Sequence, residues 1–364
     1  VTGTSADGDG RYSMNLPAGT YLVEATFVGY APARQTLTIR GGATTEIDFE
    51  LAETTIAFDP VVTTAGRRAE KLSESTANIK VMDARELEVK QEYSPFAVVK
   101  NIPGIDYYEA GIGQQQPSTR GYLNAFTTNM LLLGDYRKVR IPSYGFLPFA
   151  QGSTVAKDDI ERVEVILGPN SALYGANASN GIINFITRDP FEHPGYQFRI
   201  SAGNQNLLKL SGMANVALND QFALKLNGEY MKAEDFPTYH LFTVGSVSGN
   251  DDPDFGVKNT VFTGSLYYRP DEATRINYAA GVTRFSQLKQ ALVARYQPTN
   301  FEVWYHQVRV RFDSFFGLGS AFLQVYLTGN DAGDTYNLDR STILRLQGAE
   351  KTQSIELSRV VDKS

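Results

Sequence analysis

Few side chains in this chain have the types and spacing that chemistry needs. Its 364 residues include no cysteine and three scattered histidines, His193, His240 and His306. Without thiols there is no disulfide framework, thiolate zinc site or thiol nucleophile. The histidines lack metal-ligand spacing, and no His-x-x-Glu pair exists to build a metallocarboxypeptidase zinc set. No Ser/His/Asp or paired-carboxylate arrangement suggests catalysis, so the chain is not read as an enzyme. Asp251, Asp252 and Asp254 beside Asn250 offer oxygen ligands to calcium, but they read better as a solvated acidic loop. The stretch through Gly168, Gly175 and Gly181 lacks the Gly-Lys-Ser/Thr of a phosphate-binding loop. Its glycines read as turns of positive φ or points of close backbone approach. No metal and no cofactor are expected. Lys and Arg total 34 against 40 Asp and Glu, a balance that argues against nucleic acid as a partner.

The elements that would position these residues are mostly strands. Tyr 20, Phe 21 and Gly 32 are high, while hydrophobic content is 42% and charged content 20%, too apolar for a disordered chain. No stretch approaches the roughly 18–20 apolar residues of a membrane-spanning helix. A strand that crosses a membrane needs only about 9–11 residues of alternating character.

Three zones follow one another. In residues 1–52, the segments 11–16, 20–28, 35–39 and 45–51 alternate apolar and polar residues between Gly, Pro and Asp turns, predicting a small antiparallel sandwich. From 53 to 190 the texture is mixed. A polar linker leads to Val61-Val62-Thr63, a β-branched run able to add to a partner's sheet edge. Asp83 is placed to cap a helix from Ala84, and residues 95–101 read as a second short helix. A Gln-rich loop precedes Ser118, a buried strand runs over 129–135, and a helical turn at 157–159 leads into strand 160–167. From about 191, runs of about 10–12 residues alternate: Leu224 and Leu226 oppose Lys225 and Asn227, and Val325 and Leu327 oppose Gln324 and Tyr326. Such alternation fits a soluble sandwich or the apolar-out, polar-in dyad of an outer-membrane barrel. Short connections near 219–220, 270–274 and 316–319 alternate with long polar ones near 233–258 and 286–299, which favours the barrel.

Two blocks resemble known families. "DGRYSMNLPAGTYLVEATFVGYAPARQTLTI" resembles the carboxypeptidase-regulatory-like β-sandwich at the front of many bacterial outer-membrane receptors. "DIERVEVILGPNSALYGANASNGIINFITRDP", with "NIPGIDYY", "STRGY" and "LLLGDYRK" before it, is similar to the plug domain of TonB-dependent receptors. One departure is visible: Tyr136 follows Asp135 where the family usually has Asp-Gly, which should alter the local turn only.

The resemblance implies a mainly β chain in four parts: a sandwich at 1–52, a linker at 53–66, an α/β plug at 67–190 and the first strands of a transmembrane barrel at 191–364. About eight of about 22 strands would be present, too few to enclose a plug. The expectation is therefore an N-terminal portion of a longer receptor, with an open curved sheet beside the plug. Asp59, Pro60, Val61, Val62, Thr63, Thr64 and Ala65 would form the TonB box. Arg120, Glu161, Arg162 and Glu164 would bridge plug to barrel wall. Tyr107, Tyr108, Gln114, Gln115 and Gln116 would face the solute from a plug loop. The implied function is energy-coupled import across the bacterial outer membrane, with ferric siderophores the default cargo and oligosaccharides, peptides or cobalamin open. Implied partners are TonB with its inner-membrane motor proteins and outer-membrane lipid, with a lipoprotein lid left open. A secreted β-rich adhesin is the competing class.

Overall fold

The computed structural model describes residues 3–7, 10–25, 33–42, 44–51, 61–62, 70–71, 78–90, 92–119, 129–143, 152–169, 174–175, 177–237, 240–244, 247–290, 295–313 and 319–346. The chain divides into two units, Val1–Asp59 and Pro60–Ser364.

In the first unit, β1 (Gly19–Ala25) pairs antiparallel with β2 (Ala33–Ile39), from Gly19↔Ile39 to Ala25↔Ala33. Segments 11–16 and 45–51, expected as strands, form no ladder. Side chains hold them instead: Tyr12 OH donates to Ile47 O at 2.6 Å, and the Tyr12 and Phe49 rings lie 6.4 Å apart. Among the described residues this unit shows one two-stranded sheet.

The second unit opens with a two-residue ladder of β3 (Val61–Val62) on β4 (Glu70–Lys71). Next comes β5 (Ile79–Asp83), then α1 (Ala84–Val89), capped where Glu86 N donates to Asp83 Oδ1 at 2.9 Å. Only one 3-10 turn, Ala97–Val99, forms within the expected second helix. The hairpin of β6 (Ile105–Gly111) and β7 (Gln114–Thr119) stands apart as its own sheet. The central sheet adds β8 (Met130–Gly134), β9 (Arg137–Lys138), β10 (Ile160–Leu167) and β11 (Gly181–Thr187) in the order β5-β10-β11-β8-β9. Both faces are covered, so its strands read as continuous apolar runs. Val163, Val165, Ile182, Ile183 and Phe185 are each 0% exposed. The β8–β9 turn places Asp135 (φ 47°) and Tyr136 (φ 66°) both in the left-handed region. Two such residues in succession define the hairpin turn that suits strand twist, here without the glycine that usually lowers its cost.

Seven long strands then form one antiparallel sheet in chain order. They begin with β12 (Gly195–Ala202), β13 (Leu208–Ala217) and β14 (Phe222–Glu234). A small hairpin, β15 (Leu241–Val244) and β16 (Val247–Asn250), precedes β17 (Gly256–Tyr268) and β18 (Thr274–Ser286). Short strands β19 (Lys289–Gln290) and β20 (Arg295–Gln297) precede β21 (Phe301–Phe312) and β22 (Ala321–Asp331). Last come β23 (Tyr336–Asn337) and α2 (Leu338–Leu346). Among the described residues the seven run β12-β13-β14-β17-β18-β21-β22, in keeping with the expected share of about eight barrel strands. β12 and β22 are its two ends, so the described strands make an open sheet and no small closed cylinder.

The polarity of this sheet is inverted relative to a water-soluble one. Lys225 (2% exposed), Asn215 (1%) and Asn227 (3%) are buried on the face toward the plug. Phe262 (54%), Leu323 (61%) and Leu327 (62%) stand exposed on the other. A soluble sandwich buries its apolar face; a barrel wall turns that face to lipid. None of the described helices is long and apolar enough to cross a membrane, which says nothing of strands.

Candidate functional site

The seam between central sheet and wall is built on three consecutive residues. Asp159 N donates to Ala156 O at 3.2 Å, closing the 3-10 turn Lys157–Asp159 just before β10. That turn aims its two carboxylates at three neighbouring wall strands. Asp158 lies 3.4 Å from Arg199 on β12 and accepts a hydrogen bond from Ser211 on β13. Asp159 pairs with Lys225 on β14 at 3.0 Å, with side chains only 5% and 3% exposed. Lys225 Nζ also donates to Thr187 Oγ1 at 2.7 Å and to Arg188 O at 3.0 Å, so all three ammonium protons are used. Lys209 on β13 pairs with Glu229 at 2.9 Å and donates to Tyr93 O at 2.9 Å.

The electrostatics follow from burial. Desolvation pushes the Asp159 carboxyl up to about 6, against the opposing pull of Lys225. Burial and the nearby Lys209 bring Lys157 down to about 8, while its Nζ donates to Lys90 O at 2.6 Å. Burial works against the charge on Asp135 as well. Arg309, Lys225 and two hydrogen bonds from Thr187, at 3.0 and 2.7 Å, nonetheless hold that carboxyl below the usual range. Buried pairs of this kind add little net stability but cost several kcal/mol, about 3–5, when one partner is lost. Such a seam holds the plug in one seat without a large driving force.

Toward the long connections the seam turns apolar. Phe285, Phe301 and Val303 join the plug core around Phe96 and Phe185. Ile112, at the β6–β7 tip, packs on Met231, Ala233 and Val257. At the other end, Arg269 reaches Asp189 at 3.1 Å and lies over the Phe191 ring, pinning the link from plug to wall.

The predicted residues are distributed as follows. Arg162 bonds Glu161 and Glu164 in its own strand, each at 2.9 Å, so these ion pairs lie within the plug. Ion pairs that cross to the wall are made by Asp158 and Asp159, whose sequence pattern predicts a helical turn and nothing more. Their signal was weak: two acids before a β-rich run also describe an ordinary solvated turn. Gln114, Gln115 and Gln116, expected in an open loop, lie on β7 at 2%, 1% and 4% exposure. Gln115 Nε2 donates to Glu109 at 2.8 Å and to the Tyr93 hydroxyl. All six residues of β7 are buried, so the amides are covered on either face of the strand, which composition alone could not indicate. Tyr107 and Tyr108 are partly exposed on β6. Burial, with Glu109 beside it, raises the Tyr107 phenol.

Gly168 (φ 128°) and Gly175 (φ 76°) take backbone conformations that favour glycine, and at Gly181 a Cβ would collide with the Ile166 carbonyl. Of the box residues, Val61 and Val62 form β3; Asp59, Pro60, Thr63, Thr64 and Ala65 lie outside the described residues, as does Arg120. Asp251 is ion-paired with Arg295, and no cluster of three or more metal-ligating side chains occurs among the described residues.

A small α/β unit seated by buried charges on the polar face of a curved sheet, with an apolar opposite face, is the arrangement of a plugged outer-membrane barrel. Residues 71–182 match the TonB-dependent Receptor Plug Domain family, and residues 1–52 the Carboxypeptidase regulatory-like domain. The chain is 32% identical over 194 residues to the vitamin B12 transporter of Vibrio vulnificus, covering 53% of this chain and 31% of that protein. It is 30% identical over 174 residues to that of Photobacterium profundum, covering 47% and 28%. It thus spans about a third of the length of these relatives. Among solved structures, the alcaligin outer-membrane receptor of Bordetella pertussis aligns at TM-score 0.53 and 15% identity, over 76% of this chain and 44% of that one. The ferric enterobactin receptor of Pseudomonas aeruginosa aligns at 0.51 and 18%, over 70% and 41%. A copper transporter aligns at 0.52 and 19%, over 69% and 37%. The chain thus carries the plug domain of TonB-dependent receptors, preceded by a carboxypeptidase regulatory-like domain.

Proposed function

We propose that the protein imports a large, scarce solute across the bacterial outer membrane, with the plug displaced by TonB. Residues 59–65 act as the TonB box on the periplasmic side, where the first unit also lies. The inner-membrane motor proteins behind TonB supply the pull. One observation carries this reading: a plug seated on the wall through buried, one-to-one charge contacts such as Asp159–Lys225. The protein works as a transporter and performs no chemistry on its cargo.

The cargo is read as a ferric siderophore. Cobalamin is the second reading, supported by the two relatives at 32% and 30% identity that are named vitamin B12 transporters. Both are bulky metal chelates. Cells lacking their own receptors, supplied with the full-length protein, should accumulate iron-55 from ferric siderophores. Accumulation of cobalt-57 cobalamin alone would favour the second reading, and uptake of neither would overturn both.

A further inference from the structure

We infer that Arg295 fastens the three long connections of the wall into a single rigid cap, whose roots grip the plug. The connections after β14 and β18 and the segment after β22 leave the same end of the sheet, and each is thirteen or more residues long beside wall turns that are short. Loops of that length in water are ordinarily independent. Here Arg295 on β20, in the second connection, is 2% exposed and faces acids from the other two. Its side chain is ion-paired with Asp251, in the first connection, whose own side chain is fully buried. From the third, Asp339 on α2 takes Arg295 Nη2 at 3.0 Å, Nε at 3.1 Å and the backbone N at 2.9 Å. A planar fork shared between two carboxylates fixes direction as well as distance.

The rest of the cap is arranged around this pin. β20 pairs with β23 through Tyr296↔Asn337 and Gln297↔Tyr336. Asp254 N donates to Gln297 Oε1 at 3.2 Å, joining the first connection to the second again. α2 packs on β15, β16, β20 and β23, and Gly249 lets Leu346 approach closely.

Each connection also touches the plug at its root. Asp235, just past β14, accepts from Ile112 N at 3.3 Å. Gln287, just past β18, lies so close to Gly113 that a Cβ there would collide with it. Asn330, at the end of β22, accepts from Ser143 N at 3.1 Å. A displacement of the cap is therefore felt at three points of the plug at once. Arg295 is a positioning residue in this scheme, acting through the loops.

The test needs no solute, so it stands apart from the import reading. Amide hydrogen exchange is measured on the full-length receptor in detergent micelles, wild type against Arg295→Ala. Exchange should rise tenfold or more, together, in 240–250, 295–297 and 336–346, and also at Ile112 and Gly113. β10 and β11 should stay as protected as in wild type. Arg295→Lys, which keeps the charge but loses the fork, should give an intermediate rise. A change confined to 295–297, or no change, would overturn the inference. So would a rise that spreads to β10 and β11, because that is general loosening. If Arg295→Ala does not fold, Asp339→Asn removes the same fork from its other side and must give the same joint response.

Discussion

Replacing Lys225 by Met tests the seam at its most buried point. The substitution keeps most of the side-chain volume but removes the ammonium that serves Asp159, Thr187 Oγ1 and the Arg188 carbonyl. Asp159, 5% exposed, is then left without its cation in a dry seam. Losing one partner of such a pair costs about 3–5 kcal/mol. At about 1.4 kcal/mol per factor of ten, the unseated plug becomes more populated by roughly 10² to 10³·⁵. Protection of β10 and β11 amides in the full-length receptor reads this directly, and influx of a large antibiotic into cells reads it functionally. Asp159→Asn combined with Lys225→Met should recover much of the loss, since no charge is left stranded. Arg284→Ala is the control: its pair with Glu302 leaves Arg284 62% exposed, and such pairs contribute at most about 1 kcal/mol. If Lys225→Met costs no more than the control, or the double variant is no milder than the single, the seam does not seat the plug.

Other outcomes are expected from the same structure. Deleting residues 58–65 should abolish uptake and leave solute binding at the cell surface unchanged; uptake at the wild-type rate would remove the box. Gly281→Val would put a Cβ 2.6 Å from the Tyr305 ring and 2.8 Å from Thr263 Cγ2, costing about 1–3 kcal/mol through overpacking, read as a lower melting temperature in micelles. Asp135 titrates below its ordinary 3.8, so its contribution is complete above that value and is lost as pH falls through the folded-state one. Asp135→Asn should therefore lower plug protection at neutral pH and shrink the difference from wild type in strong acid.

Legibility in the sequence followed the local physics. The alternation at Leu224-Lys225-Leu226-Asn227 places these residues on opposite faces because strand side chains have a period of two. Which face is wet is invisible to a period, and the buried Lys225 beside the exposed Leu226 supplied that answer. The cap at Asp83 was legible because it needs only the three residues that follow. Asp135-Tyr136 departs from the usual Asp-Gly, and the turn it makes carries two positive φ values without a glycine. The missed residues act at a distance. Asp158 and Asp159 meet partners 41 or more positions away, and Arg295 meets Asp251 and Asp339 44 positions to either side. No local pattern marks such pairs. The glutamines of β7 are opaque for a related reason: three amides in a row look solvated, and only the tertiary structure covers both faces of their strand.

The central claim is that this sheet is a membrane wall with its polar face toward the plug. The chain has no cysteine, so single nitroxide labels can be placed cleanly in the full-length receptor reconstituted in bilayers. Labels at Phe262→Cys and Leu266→Cys should collide with dissolved oxygen and be shielded from a water-soluble nickel chelate. Labels at Thr263→Cys and Ser265→Cys, between and beside them on β17, should be shielded from oxygen. Outward positions reached freely by the nickel chelate would mean that the exposed apolar face meets water, and the account would be wrong.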